Sequence, residues 1–298
     1  MVSPFHWETR PKNPIDDRAR RRPLMSKPTV ADLKRTLETW APPQAKLDYD
    51  NIGYQIGNPS QKVSKALICL DVTSEVVQEA ADVGADCLIS HHPILFKKPS
   101  EILTTTLQGA LIHQIIEAGC SLITAHTNLD AAPNGVSFKL AETLDLHGIE
   151  FLRPFEVAGQ SVGFGAVGDL SSPMNPTEFA RHVASSLGQQ TLRTAGGRDT
   201  KGSDFTIHRV AVCGGSGSSL LDEVSWNGID AFVTADITYH RFFVEQPGLF
   251  LVDVGHYESE MMIIEAIKEV LDQAYPSVEF HSTSIQTNPV TYHSFSDS

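Results

Sequence analysis

Several near-continuous apolar runs recur along the chain, and segments with helical spacing separate them. Residues 65–72 form one run, a helical pattern follows from Ser74 to Gly84, and a second apolar run covers residues 86–90. Strands that are buried on both faces have such runs, and parallel strands need a crossover, usually helical, between them. The pattern therefore predicts a strand, a helix and a second, parallel strand.

The same alternation extends in both directions along the chain. Thr29 precedes a helical pattern that ends at Pro42, as expected for a capping residue. Further helices are predicted at residues 104–118, 136–144 and 176–187, with strands at residues 48–57, 120–125 and 161–168. Alternating strands and helices predict an α/β fold.

A later part of the chain repeats the first arrangement. Apolar runs at residues 210–213 and 231–234 flank a predicted helix at residues 220–226, and Gly228-Ile229-Asp230 corresponds to Gly84-Ala85-Asp86. The repeat predicts two similar α/β lobes with mainly parallel sheets. We expect the first lobe at residues 28–150 and the second at residues 151–298, with the C-terminal segment contributing to a site in the cleft between them.

Composition narrows the possible partners. The chain has 298 residues, 41% of them hydrophobic, which is enough for two cores of ordinary size. Residues 1–27 hold seven basic and three acidic residues, which gives them a net charge of +4. Because the whole chain has a net charge of −13, the remaining residues have a net charge of −17. We expect a disordered basic leader, and nucleic-acid binding is disfavoured because such proteins usually present a basic face.

The expected compartment follows from the apolar runs and the cysteines. A helix needs about 18 apolar residues to span a bilayer, and the chain has no such stretch, so no membrane association is expected. The cysteines have no CxxC spacing, which is typical of reduced thiols in a cytoplasmic protein; they are Cys69, Cys87, Cys120 and Cys213. The Arg-rich leader leaves a mitochondrial presequence as a lesser alternative.

Imidazole and carboxylate groups follow three of the apolar runs. A histidine doublet follows residues 86–90, and the other two runs each end in a histidine with an acidic residue four positions later. These residues are His91 and His92, then His126 and Asp130, then His256 and Glu260. Because ligands collect at the carboxyl ends of parallel strands, and divalent metals bind nitrogen and anionic oxygen donors, a metal site is predicted there.

Two metal ions fit the number of donors better than one. Asp130 and Glu260 come from different halves of the chain, and two carboxylates repel each other unless cations lie between them. With His91, His92 and His256 they make five donors, which suits two ions about 3.5–4 Å apart. Zn, Mn, Fe, Co and Ni all accept these donors. The alternatives are that Asp130 caps the following loop and that the doublet is solvated.

Three further features leave alternatives open. His126 is a sixth ligand, a hydrogen-bond partner of the site or simply a strand-end residue. His240 could transfer a proton to a leaving group, or it could cap a surface helix. Gly214, Gly215, Ser216 and Gly217 stand between a strand and a helix, where backbone amides can receive a phosphate, although a tight turn without a ligand is the alternative.

Five segments resemble the Nif-three-like dinuclear metal-centre family, also labelled GTP cyclohydrolase type 2 homologues. They are residues 50–57 (DNIGYQIG), 91–96 (HHPILF), 126–130 (HTNLD), 213–217 (CGGSG) and 255–260 (GHYESE). The resemblance implies a dimetal site between two α/β lobes and often a toroidal homohexamer. It also implies that His92, Asp130 and Glu260 hold one ion, while His91, His256 and Glu260 hold the other.

Two positions depart from the family's usual residues. Tyr54 stands where Leu is usual and Ala235 where Gly is usual, which affects the expected shape of the substrate site more than the metal site. The favoured hypothesis is a metal-dependent hydrolase acting on a small anionic nucleotide or phosphoester. The alternative is a non-catalytic metal-binding ring that stores metal or binds a protein partner such as a transcriptional regulator.

Overall fold

The computed structural model describes residues 27–157, 159–197, 205–226, 228–243 and 248–293. The predicted leader lies outside the described residues, apart from Lys27. The strands are β1 (Gly53–Ile56), β2 (Lys65–Cys69), β3 (Cys87–Ser90), β4 (Ser121–Thr124), β5 (His147–Val157), β6 (Gln160–Met174), β7 (Arg193–Gly196), β8 (Ile207–Ser216), β9 (Ala231–Ala235), β10 (Phe250–Asp253) and β11 (Glu279–Ser282).

The helices follow the predicted alternation closely. They are α1 (Val30–Trp40), α2 (Ser74–Val83), α3 (Leu107–Glu117), α4 (Thr127–Asp130), α5 (Val136–Thr143), α6 (Pro176–Ser186), α7 (Leu221–Trp226), α8 (His256–Glu260) and α9 (Ile263–Ala274). The Thr29 side chain accepts a hydrogen bond from the Asp32 amide, so the predicted cap of α1 is confirmed. Short 3-10 helices lie at Pro43–Ala45, Ser218–Leu220 and Tyr239–Phe242.

The first sheet is the buried parallel sheet that the apolar runs predict. Its strand order is β1-β4-β3-β2-β11, and only β1 pairs antiparallel to its neighbour. Side chains of successive residues point to opposite faces, so Ile68 packs with α1 and α9 while Leu67 packs with α2 and α3. Helices on both faces explain why the strands are apolar without alternation.

The second sheet is mixed, which differs from the mainly parallel arrangement expected from the sequence. Its order is β5-β6-β8-β9-β10-β7, and the strands β8, β9 and β10 are parallel neighbours. The other pairings are antiparallel. Val157 pairs with Gln160, so only two residues separate the paired ends of β5 and β6, and so short a connection is compatible only with antiparallel pairing. The apolar alternation from Ile149 to Val157 is the signal that could have revealed β5.

The repeat found in the sequence is present as matching hydrogen bonds. Asp86 precedes β3, and its carboxylate accepts from the two amides at the start of β2, at 2.7 and 3.2 Å. Asp230 precedes β9, and its carboxylate accepts from two amides near the start of β8, at 2.9 and 2.8 Å. The two parallel-strand units therefore have the same local construction, and the two-lobe α/β fold is confirmed.

The chain returns to the first sheet after it leaves the second. β11 pairs with β2, and Ile267 and Leu271 of α9 pack in the core of the first lobe. β5 begins at His147, slightly before the expected boundary at residue 150. The boundaries themselves stay a prediction, but this path makes α8 the passage from β10 of the second sheet to α9 on the first.

Two expectations concern membranes and cysteines. No helix within the described ranges combines the length and apolar character needed to cross a bilayer. All four cysteines are free thiols, so the expectation of unpaired cysteines is confirmed. Burial raises the pKa of Cys120 to about 11 and that of Cys213 to about 12, which keeps both thiols protonated near neutral pH.

Candidate metal centre

The five predicted metal ligands converge at one place between the two sheets. His92 Nε2 and His256 Nε2 each lie 3.1 Å from Glu260 Oε2, and they are 3.3 Å from each other. His91 Nε2 lies 3.5 Å from Asp130 Oδ1 and 3.9 Å from Glu260 Oε1. The histidines and carboxylates reach this place because β3, β4 and β10 end there.

These residues form two groups of possible metal ligands that share Glu260. One group is His92, His256 and Glu260; the other is His91, Asp130 and Glu260; within each, the ligand atoms lie within 4.8 Å of one another. Oε2 of Glu260 faces the first group and Oε1 faces the second. The shared carboxylate agrees with the family resemblance, but His91 and His92 exchange places relative to the implied ligand sets.

The donor atoms fit a metal ion better than they fit each other. His91 Nε2, Asp130 Oδ1 and Glu260 Oε2 are buried and make no well-directed hydrogen bond. Burial and the charge of Glu260 raise the pKa of Asp130 well above its usual range. Burial would also raise the pKa of Glu260, but short contacts with the surrounding histidines lower it well below its usual range. Buried polar atoms without partners are costly, and a cation would supply the partner.

Each of the three candidate ligand histidines has an acceptor on its other ring nitrogen. His92 Nδ1 donates to Asp71 Oδ1 at 2.7 Å, and His256 Nδ1 donates to Asp236 Oδ2 at 2.7 Å. Nδ1 of the third ligand, His91, lies 2.9 Å from a backbone carbonyl oxygen. Such partners orient the ring and direct Nε2 toward a metal. Sequence reasoning missed both aspartates, although each follows a parallel strand, which is the signal that could have found them.

Protonation of the three histidines differs because their surroundings differ. Burial lowers the pKa of His91 to about 4. Burial would lower the pKa of His92 too, but Glu260 and the carboxylate on Nδ1 raise it to about 10. Burial would lower the pKa of His256 as well, but Glu260 and Asp236, the partner of its Nδ1, raise it to about 9. The raised pKa values of His92 and His256 favour protonated rings near pH 7, although the two rings oppose each other because their Nε2 atoms are 3.3 Å apart.

His126 also faces the cluster. Its ring centroid lies 5.2 Å from that of His91 and 5.4 Å from that of His92, and the three residues form a further group that could hold a metal. His126 Nδ1 donates to Asp50 at 2.9 Å, and the buried Asp50 carboxylate also accepts from Thr127. A role as ligand or as hydrogen-bond partner therefore remains open. This geometry does not favour the third alternative, a strand-end residue without a role.

Gly214, Gly215 and Ser216 are the last residues of β8, and Gly217 directly precedes the 3-10 helix Ser218–Leu220. The amides of Gly214, Gly215 and Gly217 donate to side-chain hydroxyls of Ser137, Ser259 and Thr234, at 3.4, 2.9 and 2.9 Å. A phosphate role stays a prediction, and these amides could serve it only by giving up those partners. The glycines instead leave room for Glu260, because a Cβ at residue 215 would overlap its carboxylate.

His240 lies apart from the cluster. It belongs to the 3-10 helix Tyr239–Phe242 and is exposed, with its ring 5.3 Å from that of Tyr239 and 6.4 Å from that of Phe243. Within the described ranges, no hydrogen bond, ion pair or ring contact joins it to the five ligand residues. Its expected role in proton transfer stays a prediction.

Comparisons with known proteins identify the family of this chain. The family Duf34/NIF3 (NGG1p interacting factor 3) matches residues 28–289. The chain belongs to the DUF34/NIF3 family. A GTP cyclohydrolase 1 type 2 homolog of Clostridium perfringens is 35% identical over 256 residues, covering 84% of this chain and 94% of the relative. One of Streptomyces coelicolor is 33% identical over 276 residues, covering 89% and 95%.

Solved structures with the NIF3 fold are similar as well. A hypothetical protein of Staphylococcus aureus has a TM-score of 0.81 and 27% identity, covering 90% of this chain and all (100%) of the other. Reduced HcgD of Methanocaldococcus jannaschii has a TM-score of 0.70 and 26% identity, covering 86% and 98%. The fold and the family resemblance noted in the sequence are therefore confirmed, and the clustered donors are ones that could hold a metal ion.

Proposed function

We propose that this NIF3-family chain binds two divalent metal ions and acts as a metal-dependent hydrolase on a small anionic nucleotide or phosphoester. The observation that carries the proposal is the position of Glu260, whose two oxygens face two separate groups of donors. The names of the relatives, GTP cyclohydrolase 1 type 2 homolog, agree with a nucleotide substrate. They do not identify GTP as the substrate here.

The ligand residues divide the work in this proposal. His92 and His256 would hold one ion with Glu260, and His91 and Asp130 would hold the other. Ions bound there would supply Lewis-acid activation of water and of the phosphoryl or ring-carbon centre that is attacked. Zn, Mn, Fe, Co and Ni all remain candidates, because imidazole and carboxylate accept each of them.

The charge around the cluster limits the substrate. Carboxylates surround the histidines: Asp50, Asp71, Asp130, Asp236 and Glu260 all lie in or next to the ligand groups. An anion approaching them without metal would be repelled. The proposed anionic substrate therefore needs the ions for binding as well as for chemistry, and chelation should abolish both.

Replacement of Glu260 with Gln tests the proposal directly. The amide keeps the shape of the side chain but removes the charge and one good metal-ligating oxygen, so both ions should be lost together. Metal content per chain is measured by inductively coupled plasma mass spectrometry, and turnover is measured on a panel of nucleotides and phosphodiesters. Glu269→Gln, an exposed charge change on α9, is the matched control.

The outcomes separate the competing functions. Loss of metal and turnover in Glu260→Gln, with both retained in Glu269→Gln, supports a metal-dependent hydrolase. Full activity in Glu260→Gln overturns the assignment. Two ions per chain in the unaltered protein, with no hydrolysis of any substrate on the panel, would favour the non-catalytic metal-binding ring.

We also propose a homo-oligomer, a hexamer by family resemblance, in the cytoplasm. Apolar side chains of α3 and the preceding segment are exposed: Leu107 is 78% and Ile116 is 59% accessible. Surface of this kind is typical of contacts between protein copies. Free thiols agree with a reducing compartment. Light scattering of the purified chain gives the assembly mass, and a monomer at working concentrations would contradict the proposed assembly.

A further inference from the structure

After the last strand, the C-terminal segment contacts residues that lie next to the metal centre. Thr283 and Ser284 follow β11 and are held by Glu79 of α2, with Ser284 donating from its amide at 2.8 Å and from its hydroxyl at 2.6 Å. We call residues 283–293 the C-terminal strap. The anchor at Glu79 fixes the beginning of the strap on the first lobe.

Thr287 of the strap contacts the residue that orients a metal ligand. Its hydroxyl donates to Asp71 Oδ2 at 2.8 Å, while Asp71 Oδ1 accepts from His92 Nδ1 at 2.7 Å. Thr287 is only 9% exposed. Both oxygens of Asp71 are thus engaged, and an unbroken series of contacts leads from Thr287 through Asp71 and His92 to Glu260.

The next residue of the strap contacts the helix that carries two of the donors. Asn288 Nδ2 donates to Glu258 Oε1 at 2.9 Å, and Asn288 Oδ1 accepts from the Val290 amide at 3.0 Å. Glu258 lies on α8, the short helix that carries both His256 and Glu260. Two adjacent residues of the strap are therefore linked to the metal centre. Thr287 is linked to His92 through Asp71, and Asn288 binds Glu258 on the helix that carries His256 and Glu260.

The strap contact matters because, among the described residues, the Asp71 carboxylate has no hydrogen-bond partner besides His92 and Thr287. Asp50, which orients His126, is held by Thr127, the residue directly after that histidine. Asp71 instead depends on a hydroxyl that is 216 positions away in the chain. A carboxylate with one oxygen unpaired can rotate, and rotation would release the ring of His92 from its metal-binding orientation.

We propose that Thr287 is a positioning residue of the metal centre, which holds Asp71 so that His92 presents Nε2 to the metal. The proposal rests on the metal binding proposed above. Replacing the direct partner of a metal-ligating histidine typically costs about 10- to 100-fold in metal affinity. Thr287 acts one hydrogen bond further away, and water can reach the partly exposed Asp71, so we expect a loss of about 3- to 10-fold.

The test compares variants of one residue in the full chain. Thr287→Val removes the hydroxyl while keeping the shape of the side chain, and Thr287→Ser restores the hydroxyl. Thr283→Val is the matched control, because Thr283 donates to Glu79 in the same strap and not to Asp71. Zinc and manganese affinities are measured by competition with a chelator, and the melting temperature of each metal-free variant is recorded beside them.

We expect weaker metal binding in Thr287→Val, wild-type affinity in Thr287→Ser, and no affinity change in Thr283→Val even where its melting temperature falls. Should Thr287→Val not fold, Thr287→Ala provides the same comparison. Unchanged affinity in the variant without the hydroxyl, or equal losses in Thr283→Val, would overturn the positioning role while leaving the proposed function intact. Failure of the unaltered chain to bind either metal would overturn both.

Discussion

Replacement of Gly215 with Ala should separate the geometry of the metal centre from the stability of the fold. Gly215 has φ +61°, and a Cβ there would lie 3.2 Å from both Glu260 Cδ and His256 Cε1, and closer still to Glu260 Oε1. Carbon atoms prefer separations of about 3.5–4.0 Å, so the Glu260 carboxylate must move by roughly 0.5–1 Å. Metal sites tolerate deviations of only about 0.2 Å in ligand distance.

The expected magnitude follows from two separate effects. The left-handed backbone conformation costs about 1–2 kcal/mol once a Cβ is present. Displacement of the shared carboxylate should weaken metal binding by about 10- to 100-fold, which is about 1.4–2.7 kcal/mol. Because Glu260 lies in both ligand groups, we expect both ions to be affected.

A matched control isolates the second effect. Gly84 has φ +69° and no heavy atom within 4 Å of its hypothetical Cβ, so Gly84→Ala introduces the backbone cost alone. Chemical denaturation of the metal-free variants measures stability, and chelator competition measures metal affinity. Similar stability losses are expected in both variants, with reduced affinity only in Gly215→Ala. Wild-type affinity in Gly215→Ala would refute the argument that glycine is needed there to admit Glu260.

Three further predictions concern the repeat, proton release on metal binding and the pH dependence of stability. Asp86→Ala and Asp230→Ala should each lower the free energy of unfolding by about 1–3 kcal/mol, because each leaves two backbone amides without an acceptor. Urea denaturation measures both losses. A loss in only one of the two variants would contradict the equivalence of the two repeats. His92 and His256 have raised pKa values of about 10 and 9, so each must lose a proton to bind metal. Calorimetry of metal binding at pH 7, in buffers of different ionisation enthalpy, should detect this proton release. No proton release would count against these two residues as ligands. The stabilisation that these raised pKa values give the metal-free fold is complete below about pH 6.5 and is lost as the pH rises through 9 and 10, which thermal melts across that range would reveal.

Some features of the site were predictable because they depend on local sequence. The donors His91, His92, Asp130, His256 and Glu260 stand at the ends of apolar runs, and parallel strands bring such ends to one edge of a sheet. Convergence of these residues could therefore be expected without coordinates. The partners Asp71 and Asp236 also follow parallel strands, so the same reasoning extended to aspartate would have included them.

Other features could not be inferred because they depend on packing between distant parts of the chain. Gly214 to Gly217 has the composition of a phosphate-binding loop, yet its amides are used by hydroxyls from α5, α8 and β9. His240 follows an apolar run as the ligands do, but its segment forms an exposed 3-10 helix. Residue type and position after a strand therefore do not tell by themselves which side chains meet at the cluster.

The sequence by itself determined the α/β alternation, the internal repeat, the family and the set of side chains that could bind metal, because apolar periodicity and short motifs report local structure directly. Only the tertiary structure decided that β11 returns to the first sheet, that Glu260 faces two donor groups, and that Thr287 reaches Asp71. The reason is that such contacts join residues far apart in the chain. Their distances result from how whole elements pack, and no local pattern of hydrophobic and polar residues encodes them.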